Sequence, residues 1–156
     1  MDDKMMTFLT EGGFRMLDAL ETINVFKTNF FQMHAEIIKS KTDWGDFIPD
    51  IASIKQKSSP APRNDYWFST SIDIKNKSKV RRISLFISWW EGYTVIGVQF
   101  EDNERTIENI KPVTNNSIIV KNSYGATQFT IRPENVASLD YFRDFNLLIN
   151  ELLRYF

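Results

Sequence analysis

Cysteine is absent from this chain of 156 residues, and histidine occurs once, proline five times and glycine six times. Without thiols there is no disulfide framework, no thiol nucleophile and no thiolate zinc site. A single histidine excludes the two-histidine zinc helix, and His34-Ala35-Glu36 is not that motif. Gly-x-Gly-x-x-Gly, the phosphate loop ending in Gly-Lys-Ser/Thr and the Gly-x-Ser-x-Gly elbow are all missing. An excess of one charge is missing too. Nineteen basic against twenty acidic side chains give a formal charge of −1, so no global field recruits nucleic acid or anionic lipid. Apolar runs are only a few residues long, far short of the ~20 that span a bilayer. The start, Met1-Asp2-Asp3-Lys4-Met5-Met6, carries no basic region before an apolar stretch, which predicts no secretory leader. The expectation is a cytoplasmic protein with no membrane partner.

Aromatic residues are plentiful. Thirteen phenylalanines and four tryptophans, in a chain that is 42% hydrophobic, are enough to build a core at this length. One α+β domain over residues 1–156 is therefore expected. Met16, Leu20, Ile23, Phe26, Phe30, Met33 and Ile37 recur at spacings of three and four. This predicts a helix from Gly13 to Lys41, with Thr10 as cap and Leu17, Phe31 and Ile38 widening the apolar face. Residues 42–65 mix turn formers with Trp44, Phe47 and Ile48 and close on Ser58-Ser59-Pro60-Ala61-Pro62. They read as an irregular excursion with a short helix over Asp50–Gln56.

From Tyr66 the period falls to two. Tyr66, Phe68, Thr70, Ile72 and Ile74 alternate with Trp67, Ser69, Ser71 and Asp73, predicting a half-buried strand. A turn at Lys75–Lys79 leads to a second strand with Ile83, Leu85, Ile87 and Trp89 on one side. Glu91-Gly92 then returns the chain as a third strand over Tyr93–Phe100. Glu101–Pro112 is polar, with room for one helical turn. Ser117–Lys121 and Thr127–Arg132 form another hairpin around Asn122-Ser123-Tyr124-Gly125, and Ser138 caps a final helix with Leu139, Phe142, Phe145, Leu148, Ile149, Leu152 and Phe156 inward. The fold class is thus α+β: an antiparallel sheet of about five strands packed by a long N-terminal helix and a C-terminal helix.

Candidate sites follow from the charged and aromatic residues. His34 lies inside the helix's apolar stripe, which predicts a core or boundary histidine with one hydrogen-bonded nitrogen rather than a general base. Asp43, Asp46 and Asp50 lack the alternate spacing of a calcium loop and read as turn residues. No metal, cofactor or catalytic residue is expected. Lys75, Lys77, Lys79, Arg81 and Arg82 place five cations within eight residues. They read first as edge protection, and second as phosphate contacts with Trp67 or Trp90 as a stacking platform. Glu101, Asp102, Glu104 and Glu108 form an acidic connection in a predicted loop, suited to a basic protein partner. Phe86, Trp90 and Trp67 point away from the helices, so they mark an interface unless residues 42–65 fold across them.

The single α+β domain, the lack of a cofactor signature and the loop-borne acids Glu101, Asp102 and Glu104 resemble small cytoplasmic immunity proteins that neutralise bacterial toxins. Seventeen isoleucines, twelve asparagines and eleven lysines are similar to the output of AT-rich, horizontally moving genes. The element order over Tyr66–Phe156 also resembles type III secretion chaperones, from which the long first helix and residues 42–65 depart. Both resemblances concern architecture. Neither carries residues over. The reading is a non-enzymatic protein-binding module, most concretely an immunity protein that occludes a toxin's active site, holding its partner through the loop acids Glu101, Asp102, Glu104 and Glu108 with Trp67 or Trp90 as anchor. An effector chaperone comes next, with a homodimer left open. A nucleic-acid-binding domain using Lys75–Arg82 is the alternative of another class, and an enzyme built on His34 and loop carboxylates comes last.

Overall fold

A computed structural model describes residues 14–59, 65–77, 79–90, 93–101, 118–123, 126–132 and 140–155. The long helix α1 runs over Phe14–Ser40, about 40 Å at 1.5 Å per residue. Six strands follow: β1 Ile48–Ser58, β2 Asp65–Asn76, β3 Lys79–Trp90, β4 Tyr93–Phe100, β5 Ile118–Ser123 and β6 Ala126–Ile131. Helix α2, Tyr141–Leu153, ends the described chain. The strands form one antiparallel sheet in the order β1-β2-β3-β4-β6-β5. The α+β reading holds, and the two helices are where the periodicity puts them.

The sixth strand is the departure. Residues 48–58 are not an irregular excursion with a short helix; they form the edge strand β1, paired with β2 from Ile48↔Lys75 to Ser58↔Phe68. Turn-forming residues hide this strand because its ladder is interrupted. Between Asp50↔Asp73 and Lys55↔Ser71, β1 takes five steps while β2 takes two. The hydroxyl of Ser53 fastens the bulge: it donates to the Asp50 carbonyl at 2.7 Å and accepts from the Asp73 amide at 2.7 Å. A bulge, Pro49 and exposed Lys55 and Lys57 on the outermost strand are the devices that blunt a sheet edge.

One sheet face carries the core. Phe68, Thr70, Ile72 and Ile74 of β2 lie beside Ile83, Leu85 and Ile87 of β3, then Ile96 and Val98 of β4, Phe129 of β6 and Val120 of β5, all buried. The helices close over them with Phe30, Ile37 and Ile38 from α1 and Phe145, Leu148, Ile149 and Leu152 from α2. Phe30 is the keystone, with ring centroids at 6.2 Å from Phe68, 5.6 Å from Tyr141 and 4.5 Å from Phe26. The inward stripe ends sooner than its period predicts, since Phe26 and Phe142 are exposed. Thr10 lies outside the described residues, as do Ser138 and Leu139. The described cap of α2 is Asp140, whose carboxylate accepts the Arg143 amide at 3.0 Å.

The loop after α1 is built by its polar residues. The Asp43 carboxylate accepts the Gly45 amide at 3.0 Å, and Gly45 has φ +59°, which a glycine adopts without strain. Buried Trp44 donates its indole N–H to the Lys41 carbonyl at 2.9 Å. Asp43 is thus a turn residue, and Asp50 reaches Lys75 at 3.6 Å.

The β2–β3 turn is tighter than the Lys75–Lys79 span predicts, because Asn76 pairs with Lys79. Lys77 takes φ +53° at its tip, a conformation that asparagine and glycine tolerate and lysine does not favour. Lys77→Asn is therefore expected to stabilise the fold by about 0.5–1 kcal/mol. A chemical denaturation midpoint that stays put or falls would contradict this.

Candidate functional site

The opposite sheet face carries the polar and aromatic candidates. Trp67, Ser69, Ser71 and Asp73 of β2 lie beside Ser88, Phe86, Ser84 and Arg82 of β3, with Val95, Gly97 and Gln99 of β4 next in register. Small side chains fill its centre. Ser71, Ser84, Phe86 and Thr130 are buried, and Trp67 is half-buried. Phe86 sits over Gly97, where an ideal Cβ would lie 2.4 Å from its Cζ. Residues 48–58 do not fold across this face, since β1 extends the sheet sideways.

At one end of the face the two oppositely charged segments meet. Arg82 grips Asp73 with both arms, Nε to Oδ1 at 2.7 Å and a terminal nitrogen to Oδ2 at 2.8 Å. The fork-to-fork geometry holds the Asp73 carboxyl below its usual range, chiefly through the hydrogen bonds from Arg82. Glu101 closes the group. Its amide donates to the Arg82 carbonyl at 2.9 Å, its carboxylate accepts the Ser84 hydroxyl, and its charge helps to keep Arg82 protonated. Glu101 is thus a half-buried network residue rather than a free loop charge. Asp102, Glu104 and Glu108 lie outside the described residues.

At the other end stands Trp67. Its backbone is fixed by Ser59, whose amide donates to the Trp67 carbonyl at 3.0 Å and whose hydroxyl accepts the Trp67 amide at 3.2 Å. Trp90 ends β3 opposite Asp65 and Tyr93; its side chain lies outside the described residues. Trp67 pairs with Ser88 and Glu101 follows the partner of Ile83. About six residues of β3 therefore separate them, roughly 20 Å at strand rise. The fold puts both on one face but does not bring them together.

The basic segment is dispersed by the same geometry. Lys75 reaches Asp50 and Arg82 is held by Asp73, while Lys77 and Lys79 are exposed at the hairpin tip. Lys75 is about 25 Å from Trp67 along β2. A nucleic-acid site that stacks a base on Trp67 beside these cations is not assembled.

His34 is fully buried. Its Nδ1 lies 3.1 Å from the Thr70 hydroxyl, and its ring packs edge-on against Phe145 at 5.0 Å and Phe30 at 6.1 Å. Burial pushes its pKa down to about 3. Among the described residues no polar atom meets Nε2. This is the core histidine with one bonded nitrogen that the helical stripe implies. The Asp73–Arg82–Glu101 group escaped the sequence reading because its partners are nine and nineteen positions from Arg82; the available signal was the placement of Asp73 opposite Arg82 across a hairpin.

No helix among the described residues is long and apolar enough to cross a membrane, and no three His, Asp or Glu side chains among them converge as metal ligands. No protein-family model matches the chain, and neither a curated protein nor a solved structure does.

Proposed function

We propose that this protein is a non-enzymatic binding module, most concretely an immunity protein that occludes the active site of a bacterial toxin in the cytoplasm. The observation that supports this is the layout of the sheet face turned away from the helices. Trp67 and Glu101 stand on that one face roughly 20 Å apart, the scale of a protein contact that buries about 800 Å² per partner. Small-molecule sites are concave and enclose their ligand; a small-residue sheet face with residues at its two ends suits a macromolecular partner instead. The sole imidazole, sealed between helices and sheet, supports binding over imidazole chemistry. Under this reading Trp67 or Trp90 is the anchor, Glu101 marks the far edge of the contact, and Asp102, Glu104 and Glu108 steer a basic partner.

The test needs the partner, captured from the native host and purified, then binding kinetics with variants shown to fold. Trp67→Ala is expected to cost about 2 kcal/mol through faster dissociation. Glu104→Lys with Glu108→Lys is expected to slow association and flatten its salt dependence. Parental rates in both variants would refute the assignment of the surface. A captured partner that is a secreted effector with no toxic activity would favour the chaperone reading.

A further inference from the structure

His34 is a fully buried ionisable side chain that the binding reading leaves unused, and it sits where three elements meet. It belongs to α1, its Nδ1 contacts Thr70 of β2 and its ring abuts Phe145 of α2. Its exposure is 0%, and Nε2 faces no polar group among the described residues. A neutral imidazole tolerates this as the Nδ1–H tautomer, which donates to the Thr70 hydroxyl and leaves only a lone pair unmet at Nε2. An imidazolium does not, because both nitrogens then carry N–H and one has no acceptor. We infer that His34 is an acid-sensitive latch: neutral, it fastens both helices to the sheet, and protonated, it releases the helix layer.

Among the described residues no charged group cushions the change. From β2 the residues facing the helices around Thr70 are Phe68 and Ile72, neither ionisable. From α2 the ionisable groups at or near the core are Asp144, taken by Arg143 at 2.9 Å, and Tyr141, whose phenol burial keeps protonated. On α1, Lys27 lies over the Phe31 ring and Glu36 accepts from Gln32. Burial alone moves His34, with no carboxylate or cation contributing.

The sign follows from linkage. The ordinary value for histidine is 6.5 and the folded one is about 3, so the unfolded or opened chain binds the proton more tightly. Stability is full above pH 6.5 and is lost as pH falls from there towards 3. Each pH unit in that window multiplies the opening constant by up to about tenfold, so roughly a hundredfold separates pH 7.5 from pH 4.5. Asp73, held down by Arg82, adds its own loss only as pH falls below its ordinary value of 3.8, so the range from pH 6.5 to 4.5 reports His34 apart from that pair.

Because the chain has one histidine, its imidazole proton resonance is unique and can be followed in the parental protein by NMR. Folded His34 is expected to stay neutral down to about pH 4 while amide exchange of α1 accelerates relative to β3 and β4. His34→Gln, and His34→Asn as a second choice should the first not fold, is expected to abolish most of that acceleration between pH 6.5 and 4.5. A folded-state titration near 6.5 would overturn the latch. So would an acid response that persists unchanged in a folded His34 variant, or exchange that rises equally in helices and sheet.

Discussion

Replacing Phe145 by alanine is expected to cost about 3–5 kcal/mol of folding stability, the range for removing a fully buried aromatic ring. Phe145 has 0% exposure and belongs to the cluster that joins α2 to the sheet. Its neighbours cannot readily collapse into the space. On one side is the ring of His34 at 5.0 Å, itself held to Thr70. On the others are Leu148, Ile149 and the strands, already close-packed. The loss therefore includes a cavity beside the transferred surface. Thermal or denaturant unfolding of Phe145→Ala measures it, and a loss below about 1 kcal/mol would show that the helix layer is loosely seated. The same variant has a second readout. Water entering the space beside His34 should raise the imidazole pKa from about 3 towards 6.5. Phe26, 42% exposed on α1, is the contrasting site, where truncation should matter far less.

The elements that were legible in the sequence are those whose burial has a clean period. Phe68, Thr70, Ile72 and Ile74 alternate without a break and are buried on one face, so β2 follows from side-chain direction alone. In α2, Phe145, Leu148, Ile149 and Leu152 keep the helical spacing and are buried. Strand β1 was illegible for the opposite reason. As an edge strand it buries little, and the bulge between Asp50 and Lys55 destroys the alternation that a strand is recognised by. The end of the α1 stripe was equally hidden. Phe26 and Phe30 are equivalent in the periodic pattern, but Phe30 is buried against Tyr141 of α2 while Phe26 is 42% exposed; tertiary reach, not local pattern, decides which is covered.

The candidate site was legible as residues and not as geometry. Trp67 and Phe86 were placed correctly on the face away from the helices, because strand parity survives any register that keeps one face buried. Distance along the sheet was invisible. The cations of 75–82 and the acid at 101 look like separate patches of opposite sign in sequence, yet Arg82 stands between Asp73 and Glu101 and the charges neutralise one another. A hairpin pairs residues symmetrically about its turn, so a basic turn flank finds its acids on the preceding strand and on the next one. Composition counts the charges without saying which of them face each other.

Gly97 gives the second large effect. A methyl group there would lie 2.4 Å from Phe86 Cζ, 2.8 Å from Cε1 and 3.0 Å from the Phe129 carbonyl oxygen. Phe86 is Gly97's partner across β3 and β4, and Thr130 of β6 is its partner on the other side. The ring fills the space that a side chain at 97 would claim. Because Phe86 is only 9% exposed, it cannot swing clear without losing its own burial, so Gly97→Ala is expected to cost about 1–3 kcal/mol by overpacking. Alanine's smaller backbone entropy loss, about 0.5–1 kcal/mol in its favour, does not offset this. The mechanism can be separated from a general intolerance of the strand by a double-mutant cycle. In a Phe86→Ala background the two nearest atoms are gone and the Phe129 carbonyl at 3.0 Å remains, so Gly97→Ala should cost little or even stabilise. A coupling energy of at least about 1 kcal/mol is expected between two residues in direct contact. Additive effects within about 0.5 kcal/mol would mean that the carbonyl of Phe129, not the ring of Phe86, is what keeps this position a glycine.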